Sequence, residues 1–560
     1  MNDSNRPLAP RFPWWMLLAP LVLSAALRDL WAPDEPRYAM VARWIYEQRE
    51  FLVMRRCGEL YPDKPPMLYW IAGLCGVLSD WSTFAMRGVS LVSMALVAWI
   101  TSRMARRWLG ELEAQWAPVL FLGFFMIVEI GGRLQIDPLL TLGCVGALEC
   151  ATTPARDARH ATRLVLGGAL LAALGTFAKG PVALVNVGLP LLALHFLGPQ
   201  PDGARAPRRV WILALVVSLL PVATWAASAS LVEPALWRPL FLGQHLERAA
   251  KGTAHPGPPW QNLLRMPALL LPWIAPVLLG LWAASTAIIA RWKKRSAHAG
   301  LLRVGLWFWA LFLFFSIIPT KRDMYLLSAY PACALLGAHA LAEMLRRERI
   351  ARATALVPVA LFAVLGLALV AALPIADGLA TRAPKLQPSL AVLSELRERH
   401  PSLGARSVIV GALFLCGALA TAFAWRSGRV ARWANTVALA WLGGLAALIT
   451  LIIPLVDPLK SDRGTAALLA VLPQRPSEIP CYGTAPDGVR FYGGGPCFEA
   501  EPAEWKDGRF TARMEREGAR FLALIEDDNF ARMAPELRER LRILAEDRVG
   551  SRRILVLGAK

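Results

Sequence analysis

The chain has 560 residues, 56% of them hydrophobic and only 18% charged, against about 25% charged in an ordinary soluble domain. With a mean hydropathy of +0.43, this excludes a soluble, fibrous or disordered protein and describes a polytopic membrane protein. The net charge of +20 would suggest nucleic acid in a soluble chain, but here topology places the basic residues first, and no nucleic-acid partner is expected.

A spanning helix needs about 20 mostly apolar residues. Apolar runs read against their charged flanks give thirteen expected spans, near 14–30, 84–102, 114–131, 136–152, 164–178, 181–197, 210–230, 266–290, 301–318, 325–343, 354–374, 406–425 and 433–455. Alternate connections are basic: Arg103, Arg106 and Arg107; Arg156, Arg159 and Arg163; Arg205, Arg208 and Arg209. The series continues with Arg291, Lys293, Lys294 and Arg295; Arg346, Arg347 and Arg349; Arg426, Arg429 and Arg432. By the positive-inside rule these loops and the N-terminus are cytoplasmic, and the C-terminal region lies outside. The run 66–79 is too short to span and would move every later basic loop outside, so it reads as an interfacial or re-entrant helix. The first apolar segment lacks a cleavage pattern and is expected to stay as a span.

The long polar connections 31–83, 231–265, 375–405 and the tail all fall on the outer side, so the chemistry is expected there. Residues 1–455 read as a transmembrane catalytic domain, with amphipathic helices in the loop 31–83, and 456–560 as a small outer α/β domain. In that tail IPCYG, VRFYG, RFLALI and RILVLG read as strands, and 461–472 and 529–543 as helices. Cys75, Cys144, Cys150, Cys333 and Cys416 read as packing residues. Cys481 and Cys497 are either a disulfide of an oxidising compartment or two buried thiols. No Cys/His spacing suggests structural zinc.

The richest outer loop carries Asp34-Glu35-Pro36-Arg37-Tyr38 directly after the first span, then Tyr61-Pro-Asp63-Lys64-Pro-Pro. Tyr38, Val41, Trp44 and Ile45 recur at helical spacing, describing an amphipathic helix on the outer surface, with Asp34 or Glu35 near its cap. Capping acids would be the plain reading; a second acidic, basic and proline cluster in the same loop favours a site. The fourth span begins Arg133-Leu-Gln-Ile-Asp137-Pro138, where Asp137 needs a partner. That partner is Arg133 one turn earlier, or Asp137 belongs to a site. Lys179, in the turn AKGP, is a snorkelling cation or a site residue. His255 could join a carboxylate such as Asp63 in a metal site of mixed N and O ligands. Lys321 and Arg322, adjacent cations at an outer face, are easier to explain as a phosphate site than as anchors.

Carboxylates, a tyrosine, a histidine and several cations at the bilayer surface suit transfer from a lipid-borne phosphate. Cations, with or without a divalent metal, hold the leaving phosphate, and a carboxylate positions or deprotonates the acceptor. The chain has no P-loop and no GxGxxG between strand and helix, and Glu526-Asp527-Asp528 reads as a turn.

The ordered set Asp34-Glu35-x-Arg37-Tyr38, Tyr61-x-Asp63-Lys64-Pro65-Pro66-x-x-Tyr69-Trp70, Arg133-x-x-x-Asp137-Pro138, Lys179-Gly180-Pro181, His255-x-x-x-x-Trp260 and Lys321-x-x-x-Tyr325 resembles the bacterial aminoarabinose-transferase-like glycosyltransferases. These are related to protein O-mannosyltransferases and share the multispanning GT-C architecture. The resemblance runs from about residue 14 to 345, with matching topology afterwards. It implies an inverting, periplasm-facing transferase that takes sugar from undecaprenyl phosphate, with lipid A phosphates the best-known acceptors. By position, Asp34 is the main carboxylate, with Glu35 beside it, and Asp137 the second. Arg37 and Lys64 face the donor phosphate. Tyr38, Lys179, Lys321, Arg322 and Tyr325 lie around the same pocket, and Asp63 and His255 resemble a divalent metal pair. Two features depart from the family: Asp63 stands where Glu is commoner, and 319–325 read PTKRDMY where a Ser-Lys-rich sequence is usual.

The expected fold is therefore a mainly α, GT-C-like polytopic protein of about thirteen spans with a small C-terminal α/β periplasmic domain. The expected function is sugar transfer from a polyprenyl-phosphate donor to lipid A or another glycan or protein acceptor, in the bacterial inner membrane. Rival readings are a transporter or flippase of an anionic lipid or glycan, which predicts mid-membrane charges on discontinuous helices, a ligase or polymerase using the same donor, and a catalytically dead homologue.

Overall fold

The computed structural model describes residues 8–199, 203–240, 256–293, 298–379, 387–550 and 552–560. A helix stands at each of the thirteen apolar runs. Helices α1 to α10 are Ala19–Leu27, Asp34–Gln48, Met67–Leu78, Thr83–Trp108, Glu111–Gly123, Phe125–Gly131, Ile136–Thr152, Ala158–Lys179, Val182–Leu197 and Arg208–Val232. Later helices include Ile274–Trp292, Ala299–Ile317, Tyr330–Arg347, Leu403–Arg426 and Val430–Leu451. Among the described residues, nine helical segments are long and apolar enough to cross a membrane. The chain is a multi-pass membrane protein.

Two expected spans are broken, and their breaks meet. Helices α5 and α6 bend by 63° where Phe124 is extended, and the Phe125 N–H donates to Leu271 O at 3.0 Å. Leu271 lies in the gap between the helices Gln261–Leu269 and Ile274–Trp292. Gly123 permits the approach: a Cβ there would stand 2.6 Å from the Trp273 indole nitrogen. The redirected α6 carries the chain to Arg133 and Gln135 at the candidate site.

The run 66–79 forms the 12-residue α3, too short to span. Helix α2 starts at Asp34, after Pro33, so that both acids stand in its first turn. Its Tyr38, Val41 and Ile45 are buried as the periodicity requires, but it is sandwiched rather than lying free. One neighbour is α3, where Gly73 leaves room for the Tyr46 ring. Another is the C-terminal helix Pro486–Phe491, whose Phe491 O accepts from Arg43 at 2.7 Å.

A short hairpin, β1 (Arg55–Arg56) and β2 (Glu59–Leu60), precedes α3. The C-terminal unit is a five-stranded sheet of β3 (Ile479–Tyr482), β4 (Cys497–Ala500), β5 (Leu522–Glu526), β6 (Leu541–Val549) and β7 (Arg552–Ala559), in the order β4-β3-β5-β7-β6. Strand β3 runs parallel to β4 and β5, while β7 is antiparallel to β5 and β6. Two local expectations need correction. VRFYG lies in the helix Pro486–Phe491 and the turn after it, because Pro486 opens a helix whose Val489 and Phe491 fill the core. The expected helix 529–543 is two short helices, Asp527–Arg532 and Pro535–Glu539, ended by β6, whose Leu541–Val549 stretch is captured by pairing along β7. Cys481 and Cys497 are both buried free thiols. They are not opposite one another, since Ile479 pairs with Cys497 and Cys481 with Glu499. This unit docks on the first long loop: Arg56 grips Asp487 through two bonds of 2.6 and 2.7 Å and reaches Glu499 at 2.7 Å.

Candidate active site

Asp34 and Glu35 occupy the first turn of α2, where the helix dipole favours acids, yet neither side chain caps the helix. Adjacent helical residues point about 100° apart, so they enter different surroundings. Asp34 faces a cavity of about 290 Å3 and accepts from Arg322 Nη2 at 2.8 Å. Glu35 is 1% exposed and turned into the protein. It accepts from Arg87 Nε at 2.8 Å, Arg28 Nη2 at 3.2 Å, Leu134 N at 2.9 Å and Trp31 N at 3.2 Å. Burial would raise its pKa, but the Arg87 and Arg28 guanidiniums and these hydrogen bonds hold it below the usual carboxylate range.

Asp137 does not pair with Arg133. Arg133 bonds Glu129 on α6 at 2.9 Å, while Asp137, 3% exposed, is bound by Lys179 across the helix interface. Gly180, with φ +86°, ends α8 immediately after Lys179 and places its ammonium there. The same ammonium lies 4.8 Å from the centre of the Tyr325 ring. Tyr38 is buried near these acids. Burial and the charges of Asp34, Tyr61 and Asp137 push its phenol well above its ordinary pKa. Arg322 lies within electrostatic reach of Asp34, Tyr38 and Asp137; burial works against its charge, and the acids more than offset that.

Asp34, Tyr38, Asp137, Lys179, Arg322 and Tyr325 are thus brought together from four parts of the chain. Arg37 is half-buried on α2, with an Nε that has no hydrogen-bond partner. Asp63 and Lys64 are half-buried in the turn before α3. Two expected members turn elsewhere. Glu35 enters the buried ion-pair node. Lys321 lines the cavity, but its ammonium donates to the carbonyls of Phe315, Ser316 and Ile318, capping the helix Ala299–Ile317. His255 lies outside the described residues. No group of three or more His, Cys, Asp or Glu able to hold a metal occurs among the described residues. Of the expected metal pair, Asp63 is the member within the described residues.

Several site residues escaped the sequence reading. Arg87, fully buried at the start of α4, also donates to the carbonyls of Ala25, Arg28 and Asp29; an arginine inside an apolar run was its signal. Glu129 and Arg265 line the cavity, and Arg265 pairs with Asp323 at 3.2 Å. The cavity is therefore walled by three cation–carboxylate pairs, Arg322–Asp34, Arg133–Glu129 and Arg265–Asp323, an arrangement suited to an anionic headgroup exchanging with one carboxylate.

Comparison with known proteins agrees with this architecture. Residues 63–227 match the family model described as dolichyl-phosphate-mannose-protein mannosyltransferase. An undecaprenyl phosphate-alpha-4-amino-4-deoxy-L-arabinose arabinosyl transferase of Erwinia tasmaniensis is 31% identical over 321 residues, 56% of each chain. A transferase of the same name from Proteus mirabilis is 28% identical over 378 residues, 65% of this chain and 66% of that one. The chain thus matches little more than half the length of several such relatives. The crystal structure of ArnT from Cupriavidus metallidurans bound to undecaprenyl phosphate superposes with a TM-score of 0.73 at 19% identity, covering 97% of this chain and 96% of that one. In sequence and in fold, the chain is similar to the aminoarabinose-transferase-like glycosyltransferases related to protein mannosyltransferases, as its motifs imply.

Proposed function

We propose that this protein is an inverting glycosyltransferase that moves a sugar, aminoarabinose or a similar one, from undecaprenyl phosphate to a lipid A phosphate or another periplasmic acceptor. It would work at the periplasmic face of the bacterial inner membrane, with the N-terminus cytoplasmic. The observation that carries this reading is Asp34 on the cavity wall, held by Arg322 and close to the Asp137–Lys179 pair. The donor for which the relatives are named, an undecaprenyl-phosphate-linked amino sugar, supports the substrate class.

In this reading the C1–O bond to the donor phosphate breaks while the acceptor oxygen attacks from the opposite face of the sugar. Arg37, Lys64, Lys179 and Arg322 neutralise the charge that develops on the leaving phosphate. Tyr325 and Tyr38 shape the pocket around it. Asp34 positions the acceptor and, for a hydroxyl acceptor, removes its proton; Asp137 fixes Lys179. Glu35 is assigned a holding role, because all its accepting capacity is engaged, and Lys321 a helix-capping one. Asp63 and His255 are the pair we would assign to a divalent cation, tested by whether chelation stops transfer.

The experiment is mass spectrometry of lipid A and polyprenyl-phosphate lipids from cells with and without the gene, and with Asp34→Asn. Loss of a sugar-sized mass from lipid A, with donor accumulating, in both the deletion and the variant is expected. Unchanged lipid pools in the deletion, under conditions where the protein is made, would overturn the reading.

A further inference from the structure

Helix α1 and α2 are joined by a short strap, Arg28 to Pro33, whose Trp31 to Pro33 line the cavity beside Asp34. Its backbone is held from both sides. From the membrane side, Arg87 binds the Arg28 and Asp29 carbonyls, both at 2.7 Å. From the C-terminal part of the chain, more than 420 residues away, come the other anchors. Asp457, 7% exposed, accepts from Asp29 N at 2.7 Å and from the Trp31 indole N–H at 2.5 Å. The Tyr492 hydroxyl accepts from Leu30 N at 2.8 Å. Arg463 reaches Asp29 at 3.0 Å.

Trp31 matters to the cavity beyond its surface. Its ring lies 4.4 Å from the Arg28 guanidinium and 5.6 Å from that of Arg133. One of these cations belongs to the Glu35 node and the other to the cavity wall. The orientation of the indole therefore links the two, and a ring nitrogen anchored by a carboxylate fixes that orientation.

We propose that Asp457 and Tyr492 are positioning residues: the C-terminal unit clamps the strap and so sets the placement of Trp31 and Asp34 in the cavity. They touch no reacting atom. The catalytic part of this inference rests on the transferase reading above, and the clamp itself does not. It explains why the sheet is docked on this loop by the Arg56–Asp487–Glu499 cluster.

The test uses the full-length protein in lipid nanodiscs, with Asp457→Ala and the milder Tyr492→Phe. Hydrogen exchange followed by mass spectrometry should show faster exchange in peptides covering 28–33 in both variants, with β3 to β7 unchanged. In the transfer assay, kcat should fall roughly ten- to a hundredfold, as expected for a misplaced catalytic group, with the KM for the lipid donor little changed. In a Trp31→Phe background, Asp457→Ala should cost much less than in the wild type. Unchanged exchange of the strap in both variants would overturn the proposal, and so would an Asp457→Ala effect on kcat that is the same with and without Trp31. If the wild type transfers no sugar, the transferase reading fails, while the exchange result still decides the clamp.

Discussion

Asp34 and Glu35 are neighbours in sequence and should behave as opposites on substitution. Glu35→Gln keeps the shape of the side chain but removes its charge and replaces one accepting oxygen with a donor. It faces two guanidiniums and two N–H groups, so at least one donor would meet an NH2 group. Arg87, 0% exposed, loses its counter-charge. Breaking such a buried pair costs about 3–5 kcal/mol. The Asp34–Arg322 pair is more open, at 11% and 28% side-chain exposure, and Asp34→Asn keeps one accepting oxygen. Its cost should be about 1 kcal/mol or less. Thermal unfolding of both variants in nanodiscs, followed by tryptophan fluorescence, together with the transfer assay, makes the comparison. E35Q should unfold several degrees lower, and high salt should alter it little, because the pair is shielded from ions. D34N should unfold near the wild type yet transfer no sugar. An E35Q protein as stable as the wild type, or a D34N protein that retains transfer, would refute the assignment of one holding and one catalytic acid.

Two further outcomes follow from other buried charges. Lys179→Met leaves Asp137 buried without its cation and should destabilise by about 3–5 kcal/mol. Pairing it with Asp137→Leu should restore much of the stability but no activity, and additive losses in a double-mutant cycle would contradict a direct pair. In the C-terminal unit, burial, then the charges of Asp487 and Asp547, push Asp462 up to about 7, from about 3.9 in an unfolded chain. The folded state then holds the extra proton. The stabilisation is fully present below about pH 4, falls as pH rises and is lost once pH passes about 7. Asp462→Asn should remove that slope and raise stability above pH 7 by up to roughly 4 kcal/mol, read from thermal midpoints between pH 4 and 9. An unchanged slope would exclude Asp462 as its source.

Much of the fold was legible in the sequence because its signals are local. Apolar runs of sufficient length become helices wherever they pack, and the 3.6-residue recurrence of Tyr38, Val41 and Ile45 dictates which face of α2 is buried. Of the residues in the ordered motifs, Asp34, Tyr38, Asp137, Lys179 and Tyr325 converge in space, with Arg322 beside them. The local signal failed where pairing partners compete with it. The expected helix 529–543 runs into Leu541–Ile543, yet these residues pair with Leu557–Ala559 of β7 and open strand β6. The breaks at Phe124 and Leu271 were equally invisible, since each depends on the other.

What the sequence determined by itself was therefore the place of the apolar helices, the bias of the basic residues between them, and the set of charged residues from which the candidate site is drawn. Only the tertiary structure decided which charge answers which. Asp137 turns from Arg133, one helical turn away, to Lys179 on the next helix. Asp34 finds Arg322 across 288 positions of sequence, and Glu35, its neighbour, is closed off by Arg28 and Arg87. Burial follows from periodicity along one helix, but an ion pair needs two side chains to meet at about 3 Å. Where helices from distant parts of the chain cross, the packing of their small residues sets that meeting, and no spacing within a single segment encodes it.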